Sequence, residues 1–165
     1  MKKIAIIMGS DSDLPTLAPA IDTLKELGIP FCVRVISAHR TPQIAVDFAQ
    51  NAEKEGFGAL IAAAGKAAHL AGSLAANTLL PVIGIPISAS KLDGLDALLS
   101  TVQMPAGMPV ATVAIDGAKN AALLAAQILA VSDGRLFEKL KAQRKKQGEA
   151  VIAKDEQISR EYSNI

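Results

Sequence analysis

Short apolar runs alternate along this chain with longer segments in which apolar residues recur at helical spacing. Apolar residues occupy most consecutive positions of each run rather than every second position, which is typical of parallel strands that are buried on both faces. The pattern predicts five strands, at residues 3–8, 31–36, 59–64, 81–86 and 109–115.

Helices are predicted between these strands and after the last one. Behind the first strand, Leu17, Ile21, Leu24 and Leu27 recur on one helical face, and Gly28 is a typical helix end. Thr41 followed by Pro42 suits the start of the next helix. The predicted helices lie at about 14–27 and 42–54, in a short segment ending near 78, and at about 93–102, 118–131 and 134–153.

This alternation of strands and helices predicts a parallel sheet covered by helices on both faces. No repeat, low-complexity segment or linker divides the chain, so residues 1–165 are expected to form a single domain. The tail at about 151–165 is polar and is expected to be loosely ordered.

Unusual polar segments follow the first four predicted strands. They read GSDSD at 9–13, SAHR at 37–40, AAGKAAH at 63–69 and SASK at 88–91. In open parallel sheets, ligands bind beyond the carboxyl ends of the strands. The fold is therefore expected to bring these segments together around one pocket.

The first of these segments has the character of an anion site. It leads into a helix N-terminus, where free N–H groups favour a phosphate, and Gly9 allows the backbone to approach closely. Ser10 is assigned to phosphate and Ser12 adds a hydroxyl donor, whereas Asp13 suits sugar hydroxyls or positioning. The alternative for Asp13 is a simple helix N-cap. The segment matches neither the dinucleotide fingerprint nor the Walker loop.

Two neighbouring residues in the second segment suggest proton transfer next to an anion. Arg40 can grip two phosphate oxygens, and the His39 imidazole can both give and take a proton near neutral pH. The alternatives are a surface ion pair for Arg40 and a cap on a backbone carbonyl for His39. In the third segment, His69 is equally suited to a ligand contact and to capping a short helix, and Lys66 to an anion or to solvent.

Composition and charge exclude several classes of protein. Half of the 165 residues are apolar, 20% are charged and the net charge is +1, whereas nucleic-acid binders usually carry a strong basic excess. One cysteine and two histidines are too few for a Cys/His zinc site. That cysteine, Cys32, is expected to be buried in its strand and not to act as a nucleophile.

The distribution of apolar residues bears on location and assembly. The chain has no uninterrupted apolar run of about 20 residues, and the run at 3–8 is too short for a signal peptide, so a cytoplasmic protein without a membrane partner is expected. Aromatic residues make up only 3% of the chain, yet the mean hydropathy is +0.32. We infer that other subunits cover part of its apolar surface.

Five ordered motifs resemble those of the N5-carboxyaminoimidazole ribonucleotide mutases, class I of the PurE family of purine biosynthesis. They read MGSDSD at 8–13, SAHRTP at 37–42, AAGKAAHLAG at 63–72, VQMPAGMPV at 102–110 and NAALLAAQIL at 120–129. The resemblance covers about residues 3–150. It implies a flavodoxin-like three-layer αβα sandwich with a central parallel sheet and a long C-terminal helix. It also implies a homo-octamer that needs no metal, ATP or organic cofactor.

The same resemblance implies roles for individual residues. His39 is expected to transfer the proton, and Ser10, Asp13 and Arg40 to bind a ribonucleotide substrate. Secondary candidates for substrate contact are Gly9, Ser12, Ser37, Gly65, Lys66 and His69. The carboxylate would leave the exocyclic nitrogen as carbon dioxide, be held near residues 62–65, and reappear on a ring carbon.

This chain departs from the family pattern at two positions, and two alternative functions remain open. The family often has Gly where Lys66 stands and Pro where Ala71 stands, which bears on the geometry of this loop. A related carboxylase that uses free carbon dioxide typically has Lys in place of Arg40 and Arg-Ser-Asn in place of residues 66–68. The other alternative is a non-enzymatic flavodoxin-like module, such as a receiver or a flavin carrier.

Overall fold

Five parallel strands form one central sheet in the computed structural model, which describes residues 1–163. The strands are β1 (Lys3–Met8), β2 (Phe31–Val35), β3 (Phe57–Gly65), β4 (Val82–Ile87) and β5 (Ala111–Thr112), in the order β2-β1-β3-β4-β5. The helices are α1 (Leu14–Leu27), α2 (Pro42–Asn51), α3 (Leu70–Ala75), α4 (Leu95–Val102), α5 (Ala118–Ala130) and α6 (Gly134–Tyr162). A short 3-10 turn, Asp11–Asp13, precedes α1.

The side chains of the sheet point alternately into two apolar cores. Ile4, Ile6 and Met8 of β1 pack with α1 and α5 on one face, and Leu136 of α6 joins that core. Ala5 and Ile7 pack with α2 and α3 on the other face. Layers on both sides of a parallel sheet in this strand order confirm the flavodoxin-like αβα sandwich.

The predicted strands are all present, although some of their ends differ. β1 has the predicted bounds, whereas β3 begins at Phe57, two residues earlier than predicted, because the pairing with Lys3 extends it. β5 covers only Ala111 and Thr112 of the predicted 109–115. The Pro86 carbonyl accepts a hydrogen bond from the Asp116 N–H at 2.9 Å, so the nitrogen of Pro86 also faces this last strand. Because proline has no N–H to donate, the ladder cannot continue regularly there.

The ends of the helices also differ from prediction. Gly28 closes α1 with a left-handed φ of 69°, as expected for a helix-terminal glycine. α2 ends at Asn51 rather than near 54, and α3 ends at Ala75 rather than near 78. Thr41 precedes α2 but makes no side-chain cap on it. Cys32 is only half-buried, because β2 is the edge strand of the sheet.

The C-terminal helix is longer and more regular than predicted. α6 runs to Tyr162, so the expectation of loose order beyond about 150 is wrong for the described residues; 164 and 165 lie outside them. Asp133 caps its start by accepting hydrogen bonds from the N–H groups of Arg135 and Leu136 at 3.1 Å. No Gly or Pro follows Gly148, and Lys145 and Glu149 pair at 3.8 Å one helical turn apart. No described helix is both long enough and apolar enough to cross a membrane.

Candidate active site

A cavity of about 620 Å³ lies at the carboxyl ends of β1, β2 and β3. The chain passes from β1 to β2 on one side and returns to β3 on the other, which leaves a crevice where the strand order reverses. All ten site residues predicted from the sequence line this cavity: Gly9, Ser10, Ser12, Asp13, Ser37, His39, Arg40, Gly65, Lys66 and His69.

The turn after β1 is organised around Ser10. Its hydroxyl oxygen accepts a hydrogen bond from the Ser12 hydroxyl at 2.8 Å and caps the 3-10 turn by accepting from the Ser12 N–H at 3.4 Å. Asp13 makes no side-chain cap on α1, so its interpretation as a simple N-cap is wrong. The turn already supplies the local cap through Ser10, which leaves the Asp13 carboxyl at the wall of the cavity.

Asp13 is the buried ionisable group of this cavity, with 7% of its surface exposed. Burial raises the pKa of its carboxyl, and the Asp11 and Asp116 carboxylates add to that effect. The Ser10 backbone and the Ser12 hydroxyl act in the opposite direction without cancelling it. A carboxyl held in this way is suited to accept hydrogen bonds from hydroxyl groups of a ligand.

The loop after β2 is fixed by hydrogen bonds between its two ends. Thr41 accepts from the Ser37 N–H and donates to the Ser37 carbonyl, both at 3.0 Å, which explains why it does not cap α2. Ser37 in turn accepts from the Arg40 N–H at 3.2 Å. These contacts hold His39 and Arg40 at the tip of a tight turn that faces the cavity.

Arg40 links this loop to the turn after β1. Its Nη2 donates to the Gly9 carbonyl at 2.9 Å, and its Nε lies 3.5 Å from the Ser37 hydroxyl. Within residues 1–163, no carboxylate pairs with Arg40, so the surface ion pair considered from the sequence is not formed. Because a guanidinium carries five N–H donors, several remain free to face an anion in the cavity.

His39 and His69 form a direct pair across the cavity wall. His39 Nε2 and His69 Nδ1 are 2.8 Å apart, and the two rings meet edge to face at 80°. One nitrogen must therefore carry the proton and the other must accept it. His69 precedes α3 but makes no side-chain cap on it. The contact between the two imidazoles therefore replaces the two alternatives considered from the sequence, a carbonyl cap for His39 and a helix cap for His69. The sequence supplied both histidines but no signal that they touch, because they are 30 residues apart.

The loop after β3 accommodates both departures from the family pattern. Lys66 has a left-handed φ of 57°, a conformation that costs a non-glycine residue roughly 1–2 kcal/mol. This explains why glycine suits that position and shows that lysine leaves the conformation in place. Ala71 is the second residue of α3, where proline is equally compatible with a helix. The Lys66 side chain is exposed at the rim.

Apolar side chains also line this cavity, at Ala38, Ala64, Ala67, Leu70 and Ala89. The sequence placed Ala64 among the residues near the released carbon dioxide. It placed the segments of Ala38, Ala67 and Ala89 at the pocket without naming these residues as contacts, because they carry no polar group, and it missed Leu70. Ala89 lies in the SASK segment, whose place after β4 was the available signal. Among residues 1–163, no group of three or more His, Cys, Asp or Glu side chains is arranged to hold a metal ion.

Comparison with known proteins gives consistent similarities. The family model described as AIR carboxylase matches residues 3–150. A Pyrococcus horikoshii protein named N5-carboxyaminoimidazole ribonucleotide mutase is 56% identical over 138 residues, which cover 84% of this chain and 78% of that protein. A Thermotoga maritima protein of the same name is 47% identical and covers 99% of this chain and 98% of its own length. The crystal structure of Treponema denticola PurE superposes with a TM-score of 0.83 at 29% identity, covering 93% of this chain and 96% of that one.

Proposed function

Since this chain belongs to the AIR carboxylase family, we propose that it is an isomerase that converts N5-carboxyaminoimidazole ribonucleotide to 4-carboxy-5-aminoimidazole ribonucleotide in purine biosynthesis. The observation that carries this proposal is the match at 47–56% identity to mutases of that name, over 84–99% of the chain. The cavity supports it, because the serine-containing turn after β1, a guanidinium and an imidazole pair line the same space.

The proposed ribonucleotide binds along the seam between the first two loops. Its phosphate lies against the Ser10–Ser12 turn and the free N–H groups of Arg40, where hydroxyl, backbone and guanidinium donors converge. Asp13 accepts hydrogen bonds from the ribose hydroxyls. Ser37, Gly9 and Gly65 shape the wall, and Lys66 at the rim adds positive charge near the entrance.

His39 serves as acid and then as base. Protonated His39 donates to the exocyclic nitrogen as the carbon–nitrogen bond breaks, which releases carbon dioxide and neutral aminoimidazole ribonucleotide. The ring carbon then attacks carbon dioxide, and neutral His39 removes the proton from that carbon. The proton given in the first step is regained in the second, so the enzyme returns to its starting state.

His69 orients His39 for these steps. In protonated His39 both ring nitrogens carry a proton, and His69 Nδ1 accepts the one on Nε2 across 2.8 Å. The N–H at Nδ1 of His39 is then free for the substrate. This pairing holds the imidazole in one orientation while its charge changes.

The small residues at the carboxyl end of β3 hold the released carbon dioxide. Ala62 and Ala63 are buried in the sheet, and Ala64 and Gly65 line the cavity beside them. A poorly hydrated end of this kind keeps carbon dioxide close to the ring carbon, which supplies an effective concentration that solution cannot match.

Self-association as a homo-octamer is part of the proposal. Around α4, Leu92, Leu95, Leu99 and Val102 are 48–61% exposed in the single chain, which makes an apolar stripe that favours burial by another subunit. Light scattering on the purified protein tests this, and a monomer at micromolar concentration would contradict it. We propose the cytoplasm as the compartment, in keeping with the proposed activity in purine biosynthesis.

A carboxylase that uses free carbon dioxide is the nearest alternative. Arg40 and the Lys66–Ala68 sequence differ from the residues expected for that enzyme, which favours the mutase. A receiver domain would place Asp at the end of β3, where this chain has Ala63 and Ala64. A flavin carrier usually stacks its ring on aromatic side chains, and none of the described residues that line the cavity is Phe, Tyr or Trp.

Two parallel assays test the proposed activity. The purified protein is given N5-carboxyaminoimidazole ribonucleotide without bicarbonate, or aminoimidazole ribonucleotide with bicarbonate, and formation of the carboxylated product is followed. Efficient turnover of the first substrate is expected. Efficient turnover of the second alone would assign the chain to the carboxylase, and no turnover of either would favour a binding module.

A further inference from the structure

The loop between β4 and α4 forms one wall of the cavity and lies directly against Gly65. Its residue Ala89 lines the cavity. A Cβ placed on Gly65 would lie only 2.8 Å from the Cβ of Ala89 and 3.3 Å from the Ile87 carbonyl oxygen. The two residues therefore touch, and any retreat of Ala89 opens the cavity at its small-residue end.

Asp116, which follows β5, forms hydrogen bonds to Ser88 in this loop. Its Oδ1 accepts a hydrogen bond from the Ser88 N–H at 3.0 Å, and its Oδ2 accepts one from the Ser88 hydroxyl. Its own N–H donates to the Pro86 carbonyl at 2.9 Å. The carboxylate thus satisfies both donors of the residue that immediately precedes Ala89.

The surroundings leave Ser88 little freedom. Gly94 also approaches so closely that an added Cβ would lie 3.2 Å from the Ser88 Cα and 2.8 Å from Ile115 Cγ2. Asp116 itself adopts a left-handed φ of 55°. A non-glycine residue keeps such a conformation where its surroundings over-determine it, and here the bonds to Ser88 and Pro86 do so.

We propose that Asp116 is a positioning residue, which clamps Ser88 so that Ala89 closes the cavity against Gly65 and retains the carbon dioxide released during carboxylate transfer. This inference rests on the proposed function. Asp116 does not line the cavity, so it acts through Ser88 and Ala89 rather than by contact with the substrate. A loosened wall lets water enter and gas leave, and the intermediate then ends as aminoimidazole ribonucleotide instead of the carboxylated product.

Substitutions at Asp116 separate its hydrogen bonds from its backbone conformation. Asp116→Gly keeps the left-handed conformation without strain but removes both acceptors. Asp116→Asn tolerates the same conformation and retains an acceptor for the Ser88 N–H. Ser88→Ala removes only the hydroxyl donor and leaves the backbone hydrogen bond.

Asp93 supplies a matched control in the same loop. It is an exposed aspartate with a left-handed φ of 50°, and within residues 1–163 its side chain makes no hydrogen bond. Asp93→Gly therefore makes the same chemical change at the same kind of backbone without removing a clamp. It is expected to behave as the wild type.

The readout is the partition of N5-carboxyaminoimidazole ribonucleotide between carboxylated product and aminoimidazole ribonucleotide, corrected for decarboxylation without enzyme. For Asp116→Gly we expect a larger decarboxylated fraction, and a fall of roughly tenfold or more in kcat with little change in KM, since a misplacement of about 1 Å can cost about a hundredfold. Asp116→Asn is expected to restore most of the wild-type partition, and Ser88→Ala to lie between. Thermal denaturation and circular dichroism of each variant monitor folding.

Three outcomes decide the inference. A wild-type partition in Asp116→Gly, whatever its thermal stability, would overturn it. An equal rise in the decarboxylated fraction for Asp93→Gly would also overturn the inference, because loop flexibility alone would then be the cause. If Asp116→Gly does not fold, Ser88→Ala decides the question. An unchanged partition in that variant refutes the positioning role of Asp116, and a larger decarboxylated fraction supports it. Absence of carboxylated product from the wild type would instead refute the proposed function.

Discussion

Gly65 and Ala89 permit a direct test of how tightly the cavity is built. Gly65→Ala would place a methyl group 2.8 Å from the Ala89 Cβ, whereas nonbonded carbon atoms prefer about 3.5–4.0 Å. Either the Ala89 loop or the end of β3 must move by about 1 Å to relieve that overlap. Overpacking of this kind typically costs about 1–3 kcal/mol.

The magnitude is measurable by denaturation and by kinetics. For a chain of this size, each kcal/mol lowers Tm by roughly 2–4 °C, so Gly65→Ala should melt clearly below the wild type. Steady-state turnover should also fall, since the displaced residues line the cavity. Gly148→Ala is the matched control, because an added Cβ there has no atom within 4 Å. In the interior of α6 this control should stabilise the protein by up to about 1 kcal/mol.

The double variant Gly65→Ala/Ala89→Gly isolates the contact. Removing the Ala89 methyl leaves the Ile87 carbonyl oxygen, at 3.3 Å, as the nearest atom to the new Cβ. The double variant should therefore be more stable than the sum of the single changes, with a coupling of about 0.5–3 kcal/mol measured by chemical denaturation. Additive free energies of unfolding, or a Gly65→Ala variant as stable and active as the wild type, would refute the argument from close packing.

Three further substitutions test the roles assigned within the cavity. His39→Asn is expected to abolish turnover while ligand binding survives in a direct titration, and retained turnover would rule out its role in proton transfer. Arg40→Ala should weaken ribonucleotide binding by about 1.5–3 kcal/mol, measured as a dissociation constant, and an unchanged constant would contradict the phosphate contact. Burial raises the pKa of the Asp13 carboxyl in the folded protein above its unfolded value of 3.8. The free protein is therefore least stable when the pH is above the folded pKa, because the buried carboxyl is then ionised. This loss of stability disappears when the pH falls below 3.8, where the carboxyl is protonated in both states. Asp13→Asn should therefore stabilise the free protein more at pH 7 than at pH 4 in denaturation experiments while weakening ribonucleotide binding, and a stability difference independent of pH would contradict this.

Local patterns were enough to predict the layers of the fold. The run at Lys3–Met8 has the predicted bounds because its residues from Ile4 to Met8 are buried on both faces of the sheet and are all apolar. Local sequence patterns did not predict the end of an element where a residue of a neighbouring element determines that end. β5 is short because a proline of the adjacent strand faces it. α6 is a different case: its second half is entirely exposed, so the absence of Gly and Pro after Gly148, which is a local feature, already allowed a helix to Tyr162.

The sequence by itself determined the strand–helix alternation and the segments that carry chemistry, because apolar periodicity and the placement of polar residues after strands are local properties. Only the tertiary structure decided which of these residues touch. The His39–His69 pair, the Arg40 contact with Gly9 and the Asp116 clamp on Ser88 join residues 28–31 positions apart. Such contacts arise from strand order and loop geometry, and no spacing rule along one chain encodes them.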